Sequence, residues 1–289
     1  MTGFSHVRRL WSSSARRDCT VRHPRLTPVL CSLSALIFGA AAATAYSPEA
    51  SAATTGYVAL GDSYSSGVGA GSYDSSSGAC KRSTKAYPAL WAAAHSPSSF
   101  TFAACSGART GDVLAHQLGA LNSSTGLVSI TVGGNDAGFS DVMQTCVLQS
   151  ENACLQRINE ARAYVKNTLP GKLDQVYDAI HGRATAAHVV VLGYPRFYKL
   201  SGSCAAGMTE KGRAALNAAA DDLNAVTAKR AADHGFAFGD VNTTFAGHEL
   251  CSGAPWLHSV TLPVENSFHP TAVGQSKGNL PVFETARGR

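Results

Sequence analysis

Four short motifs in this chain hold residues whose chemistry could be combined. GDSYSSG presents Ser63, CSGART presents Gly107, GGND presents Asn135 and ENSFHP presents His269. A serine hydroxyl becomes a nucleophile when an adjacent base takes its proton, and a histidine titrating near neutrality is the commonest such base. The backbone N–H of Gly107, the N–H of Ser63 and the side-chain amide of Asn135 are donors suited to an oxyanion. A nucleophile, a base and convergent donors are the roles that acyl transfer requires. Singly, each residue has a plainer use: Ser63 as a helix cap, Gly107 and Asn135 as turn residues. The combination also raises the question of what holds His269, because a histidine base normally has its second ring nitrogen fixed by a carboxylate. Glu265 lies four residues back, and Asn266, three back, carries no charge.

Strand ends must bring these motifs together. Short apolar runs at Tyr57–Leu60, Phe100–Ala103, Leu127–Val132, His188–Tyr194 and Phe236–Asp240 read as strands, and VVVLG is apolar on both faces, as in a sheet covered on both sides. Between them, Thr110–Leu118, Ala153–Ile180 (broken near Pro170) and Thr209–His234, with Thr209 as N-cap, have helical composition. Strands alternating with helices predict a three-layer α/β/α domain around a parallel sheet, with its site beyond the carboxyl ends of the strands. Ser63, Gly107 and Asn135 follow the first, second and third strand, and His269 follows the last. His248 and His258 have no metal-site spacing, and Asp62 reads as a helper of its turn. Phe139, Tyr194, Phe197 and Tyr198 read as core residues, although an acyl chain could lie near them.

The first fifty residues differ from the rest. Six arginines between Arg8 and Arg25 precede an apolar run from Val29 to Ala45, and small residues follow at Ala50–Ala53. That order predicts a secretory signal over residues 1–53, cleaved near Ala52 or Ala53, and a single domain over 54–289. The apolar run is short for a bilayer span, so no permanent membrane anchor is expected, and the export route stays open. Removing the leader takes away six arginines, Asp18 and Glu49, and the net charge of +5 falls to +1. Such a chain has no basic footprint for nucleic acid. Cys80, Cys105, Cys146, Cys154, Cys204 and Cys251 remain, an even set that suggests three disulfides in an exported protein, with fifteen pairings open. No CxxC or HExxH metal motif, P-loop or dinucleotide fingerprint is present, so no metal or cofactor is expected.

The four motifs, in this order and across nearly the whole mature chain, resemble the four blocks of the SGNH hydrolase superfamily, also called GDSL lipases and esterases. The flanks YVALGDSYSSGVGAGSYDSSSG and FGDVNTTFAGHELCSGAPWLHSVTLPVENS resemble the secreted Streptomyces lipases of that group. The resemblance implies a flavodoxin-like fold and a secreted, extracellular serine carboxylic-ester hydrolase, a triacylglycerol lipase or esterase acting on lipid or other acyl esters as a monomer. A phospholipase A or broad carboxylesterase with the same machinery is the near alternative, and a non-catalytic lipid- or carbohydrate-binding module the distant one. It implies Ser63 as nucleophile, His269 as base, Ser63, Gly107 and Asn135 as the oxyanion hole, and pairing of Cys80 with Cys105, Cys146 with Cys154 and Cys204 with Cys251. The family commonly carries DxxH, and Asn266 stands at the acid position here. The expectation is therefore a Ser–His dyad in which the Asn266 main-chain carbonyl orients His269, with the Glu265 carboxylate as rival.

Overall fold

The computed structural model describes residues 55–201, 204 and 208–288. The leader expected over residues 1–53 lies outside them. Five strands, β1 (Gly56–Gly61), β2 (Phe100–Phe102), β3 (Thr125–Thr131), β4 (His188–Leu192) and β5 (Ala237–Gly239), form one parallel sheet in the order β2-β1-β3-β4-β5. All five lie where sequence patterning predicts strands, with ends that differ by at most two residues in either direction. Every residue of β1 is buried, as apolar runs in a covered parallel sheet must be.

Among the described residues, nine α-helical segments connect and cover the sheet. They are α1 (Ser63–Ser66), α2 (Tyr87–His95), α3 (Thr110–Asp112), α4 (Phe139–Leu148), α5 (Glu151–Asn167), α6 (Leu169–Arg183), α7 (Glu210–Asp233), α8 (Asn242–Phe245) and α9 (Leu280–Arg287). Helices α5, α6 and α7 pack together, while α2 packs on α9 and α9 on β4 and β5. Right-handed crossovers explain the two groups. The chain moves one way along the sheet from β1 to β2 and the other way from β3 through β5, so connecting helices fall on opposite faces. The order reverses between β1 and β3, and a crevice opens above the sheet at that point.

Local rules account for the helix boundaries. The break expected near Pro170 falls at Thr168, leaving Pro170 in the first turn of α6, where its missing N–H costs nothing. The Thr209 hydroxyl accepts the Gly212 N–H at 3.1 Å and starts α7. The helix expected over Thr110–Leu118 is irregular: after α3 it widens into a π turn at Val113–Gln117 and tightens into a 3-10 turn at Leu118–Ala120. The buried Gln117 at the end of the π turn donates to the Gly61 carbonyl (2.9 Å) and accepts the Gly61 N–H (2.8 Å). That pair of bonds satisfies the last residue of β1. Disulfides join Cys80 to Cys105, Cys146 to Cys154 and Cys204 to Cys251, the pairing that the resemblance implies.

Candidate active site

Strand β1 ends in Gly61, whose φ of +119° suits glycine, and a Cβ there would be driven into the Thr131 backbone. The chain then turns into α1. Asp62 caps that helix by accepting the Tyr64 N–H at 2.9 Å, as its reading as a turn helper requires. Ser63 therefore stands at the first position of a short helix, above the end of β1, with only 7% of its surface exposed.

His269 reaches this serine from 206 residues away, with Nε2 at 2.8 Å from the Ser63 Oγ. Its Nδ1 lies 3.0 Å from the Ser267 carbonyl. A carbonyl can only accept, so Nδ1 carries the proton and the Nε2 lone pair faces the serine hydroxyl. Here the structure corrects the expected Asn266 carbonyl by one residue. Val264–Asn266 forms a 3-10 turn and Phe268 has a left-handed φ of +65°. The reversal swings the Ser267 carbonyl under the imidazole, while the Asn266 carbonyl accepts the His269 N–H at 3.2 Å. The rival fails too, because the Glu265 carboxylate is paired with Lys81, which holds its pKa below the usual value. The Asn266 side chain accepts from Tyr73 Oη at 3.1 Å and plays no part at the ring.

Burial dominates the titration of His269, lowering its pKa to about 4, and the Ser267 carbonyl opposes this only in part. A neutral acceptor cannot raise an imidazole's pKa as a carboxylate would.

Asn135 and Gly107 sit on two loops tied to each other. Asn135 Nδ2 donates to the Ala108 carbonyl at 3.0 Å, and Asp136 accepts from both the N–H (2.9 Å) and the hydroxyl (2.6 Å) of Thr110. One amide hydrogen of Asn135 is thus spent on the neighbouring loop, leaving the other for the crevice. Gly107 has a φ of +77°, and its N–H, like that of Ser63, has no partner among the described residues. Two ties escaped sequence reasoning. Tyr194 Oη donates to Asp62 Oδ2 at 2.5 Å and accepts the Gly134 N–H at 3.0 Å, joining the nucleophile turn to the GGND loop. Burial raises the Asp62 pKa to about 7, against the lowering effect of this tyrosine bond. The strand-end position of Tyr194 was the available signal, but nothing in its neighbours announces a bridge.

An apolar cleft, partly open to solvent, starts at Ser63 and Asn135 and runs among α4, α5 and α7. Its walls include Phe139, Val142, Ile158, Val165, Leu216 and Leu223. Phe139, Tyr194 and Phe197, which sequence patterning assigns to the core, line this cleft, whereas Tyr198 does not. His248 stacks on Trp256, and His258 bonds the Gly69 carbonyl through Nε2 at 2.8 Å. Among the described residues no group of three or more His, Cys, Asp or Glu side chains is placed to hold a metal.

A parallel α/β sheet presenting a serine to a buried imidazole, at the mouth of an apolar cleft, defines a hydrolase that cleaves esters. Within that class the chain belongs to the GDSL-like Lipase/Acylhydrolase family, whose model matches residues 59–277. It is 73% identical over 272 residues to a lipase of Streptomyces rimosus, covering 94% of this chain and 98% of that one. The crystal structure of the extracellular lipase from Streptomyces rimosus superposes with a TM-score of 0.80 at 79% identity, over 80% of this chain and 99% of the other. That of phospholipase A1 from Streptomyces albidoflavus NA297 does so with a TM-score of 0.80 at 66% identity, over 81% and 100%.

Proposed function

We propose that this protein is a secreted lipase that cleaves triacylglycerols and other acyl esters through a Ser63–His269 dyad. The observation that carries the reading is the 2.8 Å contact between His269 Nε2 and Ser63 Oγ, at the mouth of a cleft lined by apolar side chains. Ser63 Oγ attacks the ester carbonyl carbon as its proton passes to His269 Nε2. The carbonyl oxygen becomes an oxyanion facing the N–H groups of Ser63 and Gly107 and the free amide hydrogen of Asn135. Collapse of this adduct breaks the carbon–oxygen bond to the alcohol, which takes the proton from His269 and leaves an acyl-Ser63. Water then repeats the sequence, giving its proton to His269 and its oxygen to the acyl carbon, and releases the acid and the free serine. The Ser267 carbonyl holds the Nδ1–H throughout.

Export agrees with the leader-like residues 1–53 and with the extracellular lipase of S. rimosus. None of the described helices is long and apolar enough to cross a membrane. A phospholipase A is the second reading, favoured by the 66% identity to a phospholipase A1 along the whole of that chain. Fatty-acid release, titrated at constant pH from a triacylglycerol emulsion and from phosphatidylcholine vesicles, tests both. Faster release from triacylglycerol supports the lipase, and faster release from vesicles supports the phospholipase. Release that survives Ser63→Ala would sink the dyad.

A further inference from the structure

The described surface is sparing with large apolar side chains, and their distribution is uneven. Of the seven that are substantially exposed, Val147 and Leu148 lie at the end of α4, and Val260, Leu262 and Val264 lie on the loop leading to His269. Leu262 is 89% exposed, Leu148 71% and Val264 67%. An isolated exposed leucine is ordinary, but five such residues on two segments facing one groove are not. Met143, Val147 and Leu148 line one side of that groove, Val260 and Val264 the other, and His269 forms part of its wall. Phe139 belongs both to this groove and to the cleft that starts at Ser63.

Charge is missing from both rims. Val142–Ser150 and Ser252–Val264 contain no Asp, Glu, Lys or Arg, in a chain of which 15% is charged. Lys81 reaches the residue that follows this loop, where it is paired with Glu265. The Cys146–Cys154 disulfide pins the last turn of α4 to α5, so Val147 and Leu148 are carried on a cross-linked support. An apolar rim whose one lining carboxylate, Glu265, is neutralised by Lys81 is suited to a surface that has neither sign of charge.

We infer that the ridge formed by Val147, Leu148, Val260, Leu262 and Val264 docks the enzyme onto the surface of aggregated, electrically neutral lipid, turning the groove beside His269 toward its ester bonds. The inference rests on the lipid-ester reading above and adds where the lipid surface sits. Insertion of the exposed leucines removes apolar area from water, and a neutral interface asks for no basic residues in return.

The test separates docking from chemistry. Protein produced from the full-length sequence carries Ser63→Ala, so that nothing is hydrolysed, and its flotation with phosphatidylcholine vesicles is measured with and without Leu148→Asp plus Leu262→Asp. The double substitution is expected to weaken partitioning by more than about tenfold, and Leu148→Met plus Leu262→Met to restore it. In protein with Ser63 intact, the Asp pair should cut release from vesicles and emulsion by a similar factor and leave kcat/KM on a soluble short-chain ester unchanged. Unaltered flotation of the Asp pair overturns the inference, and so does an equal loss on soluble and aggregated ester, which would mean that the ridge shapes the site. A dimer in sedimentation that is dispersed by Leu262→Asp would also overturn it, assigning the face to a second copy of this chain. If neither ester is cleaved but Ser63→Ala protein floats through Leu148 and Leu262, the esterase reading fails while the docking stands.

Discussion

The two halves of the reactive pair are held by different means. Ser63 is fixed by the sheet: Gly61 is registered against Thr131, both of its backbone groups are bound by buried Gln117, and the Asp62 N–H bonds the Thr131 carbonyl at 2.9 Å. His269 sits outside the sheet, on a segment that exchanges backbone bonds with His258 (Phe268 N–H to the His258 carbonyl at 2.8 Å, His258 N–H to the His269 carbonyl at 2.9 Å) and is tied by side chains to α1 and the loop after it. Tyr64 Oη donates to the Phe268 carbonyl at 2.7 Å, Tyr73 bonds Asn266, and His258 bonds Gly69. One residue is placed by the central sheet, the other by a bridge outside the sheet that single side-chain bonds from Tyr64 and Tyr73 trim. Activity and stability should therefore be coupled on the serine side and separable for the side-chain ties on the histidine side.

Substitutions can break or sharpen that contrast. The largest effect is expected from Ser63→Ala and His269→Ala, each lowering kcat by about 10³-fold or more because the pair acts as a unit, while thermal unfolding stays close to that of the parent. Asn135→Ala should follow with about 10²- to 10³-fold in kcat, read in steady-state assays on a soluble ester. The pH profile comes next. His269 is a base only when neutral, and its lowered pKa of about 4 keeps it neutral at every pH above that. The kcat/KM profile should be level through pH 6.5, the usual histidine value, and fall about tenfold per unit only below about pH 4. An acid limb near 6.5 would show that a buried charge supports the ring after all.

The contrast itself is tested by a matched pair. Gln117→Ala leaves the buried Gly61 N–H without a partner and its carbonyl with the Cys105 N–H alone, and should cost about 2 kcal/mol in denaturant unfolding together with activity. Tyr73→Phe should cost several-fold in kcat with less than about 1 kcal/mol of stability, since only single bonds to Gly69 and Asn266 are lost. Equal stability losses in the two variants would erase the distinction. The smallest effect belongs to Asn266→Asp: its side chain faces Tyr73, so the new carboxylate should not act on the ring, and the acid limb should stay where it is.

The same division governs how much could be read from the sequence. The five strands, the parallel sheet and the serine at the end of the first strand follow from apolar runs broken by glycine, because burial on both faces leaves that imprint. The Ser63–His269 contact, and the loops of Gly107 and Asn135 at the ends of the second and third strands, were legible from residue type and position. Two things were not. The acceptor for His269 depends on a left-handed Phe268, a conformation that sequence does not announce, and the DxxH frame misses it by one residue. The Asp62–Tyr194–Gly134 bridge joins residues up to 132 positions apart, with no periodicity to mark it.

The Ser267 carbonyl has a consequence at the level of inheritance. An orienting aspartate can be deleted by one codon change, but every amino acid brings a carbonyl, so no substitution at position 267 removes this acceptor. What mutation can reach is the turn at Phe268 that aims it. The vulnerability of the base thus lies not in the residue that serves it but in the backbone angle of the next one along.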